Sequence, residues 1–188
     1  MRFLALLFVL LSPLFAPPLT VAPANQSSEI PSQYQPFLGQ WTGVLEYRDF
    51  QSDARVQLPT WLEVSFDPDT QSLLFLYIYD DGPSKIVKEL SRVTIDSKLS
   101  VFTVTSDRDK SSDSYRVSRS KGFAGGSGGE LELFGKGMEN DREVEVHILI
   151  KVSRNSCTYS KETRLPGAAF LFRDGYTFTR RNPPQPAS

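Results

Sequence analysis

Apolar and polar residues alternate along this chain with a period of two, and few other patterns restrict a fold as strongly. In "RVQLPTWLEVSF", Val56, Leu58, Leu62, Val64 and Phe66 fall on one side with Thr60 among them. Arg55, Gln57, Trp61, Glu63 and Ser65 fall on the other. In "REVEVHILIKV", Val144, Val146, Ile148, Ile150 and Val152 oppose Glu143, Glu145, His147 and Lys151, with Leu149 the exception. Successive side chains of a strand leave opposite faces, so these segments read as strands with one dry side. Helical spacing is nowhere comparable, beyond a single turn around Gln33 to Leu38.

Turn-forming clusters cut the chain at short intervals: "DPDT" at 67–70, "DDGP" at 80–83, "DSK" at 96–98, "SDRDKSSDS" at 106–114, "GFAGGSGG" at 122–129, "MENDR" at 138–142, "SRNS" at 153–156 and "RDG" at 173–175. Strands are therefore expected near 40–49, 55–66, 72–79, 86–95, 99–105, 113–120, 130–136, 142–152, 157–164 and 168–180. The last is either one bent strand or a hairpin at Asp174-Gly175. Pro59 removes a ladder hydrogen bond inside the second strand and is expected to mark a bulge there. Eight to ten short antiparallel strands joined in order imply an all-β barrel or sandwich.

The ends of the chain differ in composition from this block. Residues 1–24 combine Arg2, the apolar run Phe3 to Leu11 and the Ala22-Pro23-Ala24 pattern, and read as a signal peptide for export, periplasmic or extracellular. The run is too short to span a bilayer, so no stable membrane insertion is expected; a retained anchor is the alternative reading. Residues 25–36 read as a polar linker, 37–181 as one domain and 182–188 as a disordered tail. Cys157 is the sole cysteine, which excludes an internal disulfide. Formal charge is −1 with no Lys/Arg run, which argues against nucleic acid as a partner.

Gly39-Gln40-Trp41 opens the first expected strand after the short helical turn, and Arg180 lies in the last strand, in "YTFTRR". This arrangement resembles the G-x-W signature of the lipocalins and the wider calycin superfamily. The aspartate-bearing turn and the threonine-aspartate-tyrosine stretch of true lipocalins are missing. The resemblance implies an up-and-down antiparallel barrel in which Trp41 closes one end beneath Arg180 or Arg181. Independently, Trp41, Gly43, Leu45 and Tyr47 share one face of the strand, and an indole there would seal the barrel floor under a stacked guanidinium. Gly39 would provide the tight turn before it.

Other motifs read more simply. "GGSGG", Gly125 to Gly129, has the form of a nucleophile elbow but leads into a strand instead of a helix, so a hairpin loop is expected. His147, the sole histidine, lies in the polar phase of its strand and is expected to face outward, away from any haem-ligating position. One histidine and one cysteine do not make a structural zinc site, and "SDRDKSSD" lacks the glycine and glutamate of a calcium loop. No cofactor and no paired catalytic acid and base stand out. "LLFLYIYDDG", Leu73 to Gly82, is apolar on both faces, as when covered outside or exposed as a contact patch. The leading expectation is a binding module for a small apolar molecule, lined by Leu45, Tyr47, Leu62, Val64, Val146, Ile148 and Phe178. A side-chain-filled barrel with a structural or protein-interaction role is the alternative.

Overall fold

A computed structural model describes residues 29–49, 51–123 and 126–181. The expected signal peptide and tail, and residues 25–28 of the expected linker, lie outside them. Ten antiparallel strands follow one another: β1 Gly39–Arg48, β2 Arg55–Asp67, β3 Ser72–Asp80, β4 Ile86–Asp96, β5 Val101–Ser106, β6 Ser112–Lys121, β7 Gly129–Glu139, β8 Arg142–Val152, β9 Ser156–Arg164 and β10 Leu171–Arg180. Each pairs with the next, and β10 pairs with β1, so the sheet closes into an up-and-down barrel. Closure removes every open edge that a flat sheet of this length would expose.

The alternation does what its period requires. In β8, Val144, Val146, Ile148, Ile150 and Val152 are buried inside, and Glu145, His147 and Leu149 are half-buried on the outer face. In β2, Thr60, Leu62 and Val64 are buried, while Trp61 remains 38% exposed outside. The outer residues of β3, Leu74, Leu76 and Ile78, are half-buried beside Trp61 and Leu90, which pair with Ile78 and Leu76 across the sheet.

Two expectations change, and the two readings left open for the last strand resolve to one. Pro59 marks no bulge: the β1–β2 register runs unbroken through Val44 and Pro59. Pairing of β2 with β3 begins only at Thr60, so Pro59 lacks a β3 partner for the N–H it does not have. The bulges lie elsewhere, between Val117 and Arg119 in β6 and between Phe172 and Asp174 in β10. The latter leaves β10 a single strand with no hairpin at Asp174-Gly175.

The second change is at the floor. Residues 31–37, expected mostly as linker, form a turn and one 3₁₀ turn, Gln35–Phe37, with Tyr34, Pro36 and Phe37 buried. The Tyr34 hydroxyl accepts from the Ile95 amide at 3.1 Å and donates to the Gln71 carbonyl at 3.3 Å. The glycine-rich β6–β7 loop also contributes: Phe123 is buried and stacks on Phe37 at 5.6 Å.

Candidate functional site

Trp41 is 1% exposed, and its indole N–H donates to the Phe37 carbonyl at 2.9 Å. The Arg180 guanidinium lies 3.9 Å from the centre of the Trp41 ring. It also donates to the carbonyls of Pro36 at 2.8 Å, Leu38 and Arg154. One cation thus ties the 3₁₀ turn, the β8–β9 connection and β10 together over the indole. Gly39 has φ +110°, and a Cβ there would stand 2.9 Å from Arg180 Nη1. The glycine is needed both for its left-handed backbone and for the room it leaves the guanidinium.

Above this floor the interior is not filled. A cavity of about 210 Å³ is walled by rings from four strands, among them Phe75 and Tyr77 of β3, Phe102 of β5, Tyr159 of β9 and Tyr176 of β10. Tyr77 packs 5.2 Å from Tyr176, which stacks on Phe178 at 5.5 Å, while Tyr77 and Tyr79 lie parallel at 6.0 Å. Tyr79, Glu89, Asp174 and Tyr176 also line a wider recess of about 430 Å³ at the end opposite Trp41. Ten strands enclose a wider bore than eight, which side chains just fill.

Polar groups concentrate where the two spaces meet. The Tyr79 hydroxyl donates to Glu89 at 3.2 Å and, its single proton so used, accepts from the Tyr176 hydroxyl at 2.9 Å. Burial raises Tyr77, Tyr79, Tyr159 and Tyr176 above the ordinary phenol range, so all four remain neutral donors at physiological pH. The hydroxyls of Tyr77 and Tyr159 make no hydrogen bond with other described residues and are not sealed off, which leaves them open to the cavity. Burial pushes the Asp174 carboxyl above its usual range; Lys161 and Arg173 oppose that shift and Glu139 adds to it. Asp174 forms no hydrogen bond or ion pair with the described residues. Cys157 is buried in the wall, its thiol pushed up to about 12, so it is a neutral apolar surface and no thiolate nucleophile.

Of the residues expected to line the interior, Leu62 and Phe178 face the cavity, and Leu45 and Tyr47 face the recess. Val146 lines a neighbouring part of the mouth with Asp113, Glu139 and Lys161. Val64 and Ile148 are buried in the closed packing and touch neither space. Sequence reasoning missed Asp174, Glu89 and the β3 tyrosines. Counting back by twos from Phe178 through Tyr176 reaches Asp174, but "RDG" is also a turn signal and masks that phase.

His147 lies on the outer face, stacked on Phe134 at 4.6 Å, with Glu162 at 3.1 Å and Glu132 at 3.2 Å from its ring nitrogens. It thus faces outward as expected, half-buried and held by these partners. Among the described residues no group of three or more His, Cys, Asp or Glu is placed to hold a metal ion. Nor is any helix among them long and apolar enough to cross a membrane.

No family model matches the chain, and no curated protein matches it. Among solved structures, 82% of the chain aligns with the whole of the crystal structure of Rv2717c from M. tuberculosis, at 14% identity and a TM-score of 0.49.

Proposed function

We propose that the barrel is a container that takes up one small, largely apolar molecule, acting outside the cytoplasm as its N-terminal sequence suggests. The unfilled, ring-walled cavity of about 210 Å³ carries this reading. It exceeds the ~150 Å³ apolar cavity that accepts benzene in an engineered protein core. Ligand pockets combine apolar walls with a few converging polar groups, the composition found here. Binding would draw on burial of apolar ligand area, at roughly 25 cal/mol per Å². The hydroxyls of Tyr77 and Tyr159 would orient the ligand.

Filling the cavity tests this. Leu62→Trp places an indole into the space from β2, where the void absorbs part of the overpacking that costs about 1–3 kcal/mol in a filled core. The variant is expected to keep a cooperative thermal transition and to lose uptake of an environment-sensitive apolar fluorophore. Undiminished uptake in a folded variant would remove the container reading.

A further inference from the structure

We infer that the molecule this barrel takes is an organic cation: a substituted ammonium group carrying an aromatic or branched apolar body. The inference rests on the container reading and adds the ligand's charge. Among the described residues, the inner cavity is lined by two charged side chains, Glu89 and Asp174, and both are acids. No Lys or Arg reaches that space. Around the mouth, the described lining adds the carboxylates Asp81, Asp113 and Glu139 against the cations Lys161 and Arg173.

Most of those mouth charges are already engaged. Arg173 pairs with Glu139 at 3.3 Å, and Lys85 pairs with Asp81. That leaves Glu89, Asp113 and Asp174 facing Lys161. Lys161 stands beside Asp174 in the β9–β10 register, yet the two form no ion pair. Asp174 is half-buried and makes no direct hydrogen bond or ion pair with the described residues, while Lys161 and Arg173 act on its charge only from farther off. Asp174 shares the inward phase of Tyr176 and Phe178 by plain alternation, and the β10 bulge falls just before it. A cation entering from the recess would supply the missing partner.

The walls suit the same ligand. Tyr77, Tyr79, Tyr159 and Tyr176 surround the junction below Asp174 and Glu89. Ring faces carry negative potential, and a desolvated cation is attracted to them. An alkylated ammonium, weakly hydrated, loses least on leaving water. A carboxylate or phosphate ligand would meet the two acids and no free cation in the inner cavity.

An isosteric pair isolates charge from shape: phenyltrimethylammonium and tert-butylbenzene differ in one atom, a positive nitrogen in place of a carbon. Titration calorimetry or ligand-detected NMR on the full-length protein is expected to show the cation binding at least tenfold tighter. In the double variant Asp174→Asn, Glu89→Gln, that preference should fall to near one while tert-butylbenzene binding changes less than threefold. Equal binding of the two by the wild type overturns the cation assignment and leaves the container standing. A preference that survives in the double variant overturns the role given to these acids. Binding of neither probe overturns both readings. The wild-type comparison needs no variant to fold, so it decides the ligand's charge by itself.

Discussion

At the residue scale, Arg180 and Asp174 occupy opposite ends of one strand and behave oppositely. Arg180 is half-exposed, but its hydrogen bonds end on three backbone carbonyls, those of Pro36, Leu38 and Arg154. Lysine cannot reproduce a planar fork that reaches three carbonyls and covers a ring. Arg180→Lys is expected to cost about 2–3 kcal/mol, from lost charge-assisted bonds and stacking. Chemical denaturation monitored by Trp41 fluorescence measures it; a loss under about 0.5 kcal/mol, the scale of neutral surface changes, would show that the floor does not depend on this cation.

Asp174 is the reverse case, a residue that weakens the fold where it stands. Its carboxyl titrates above the ordinary value because burial disfavours the charged form. A raised folded pKa leaves its contribution intact below the unfolded pKa and diminishes it as pH rises through the folded value. Asp174→Asn is therefore expected to raise the melting temperature at pH 7 and leave it unchanged near pH 3, below the unfolded value of about 3.9. Equal gains at both pH values would show that the charge is not what costs stability. A group that opposes the fold and faces a cavity fits a binding role, since stability is commonly given up at functional sites.

At the element scale, the closing seam between β1 and β10 is set by the absence of a side chain. A Cβ on Gly43 would come within 1.9 Å of the Thr177 carbonyl oxygen of β10, a backbone atom that cannot step aside. Gly137 of β7 lines the mouth as well, but a Cβ there would meet Val146 Cγ2 at 3.4 Å, an ordinary contact. Gly43→Ala should therefore lose more than about 3 kcal/mol, by forcing β1 off β10. Gly137→Ala should be neutral or stabilise by a few tenths up to about 1 kcal/mol, through the unfolded chain. Paired urea titrations of the two variants test this, and comparable losses would count against the seam. The β10 bulge lies in the same strand at its other end, with Arg173 as the extra residue; just after it, Asp174, Tyr176 and Phe178 follow one another along the inner wall.

At the scale of the whole molecule, closure orders the interior along the barrel axis. Trp41, Phe37 and Phe123 close one end, rings fill the middle incompletely, and ionisable groups gather at the other. Acid pH should act on the outside of the barrel too. Asp67 titrates near 2 because Thr70 and then Arg92 hydrogen-bond its carboxylate, tying the β2–β3 turn to β4. A depressed folded pKa gives stability that is present above the unfolded value and lost as pH falls toward 2. Asp67→Asn should thus lower the melting temperature at pH 7 and make no difference at pH 2 or below. A deficit that persists unchanged into acid would assign the effect to the turn's shape instead of its charge.

Much of this was legible in the residues alone. Strand order and limits followed from alternation and turn chemistry, because a period of two and a left-handed turn are local properties. The burial of Trp41 beneath Arg180 followed from the Gly39-Gln40-Trp41 pattern and the face it shares with Leu45 and Tyr47. Tertiary structure decided what no local pattern carries. All ten expected strands joined one closed sheet, and the bore of a closed sheet depends on strand number and stagger. Tyr34 and Phe123 were drawn from a linker and a glycine loop into the floor, because only the assembled end offered them a place. Val64 and Ile148 turned out packed while Tyr77 and Tyr176 met open space, though all four belong to the inward phase. Alternation tells which way a side chain points; whether anything fills the space in front of it depends on residues brought there from the far side of the barrel.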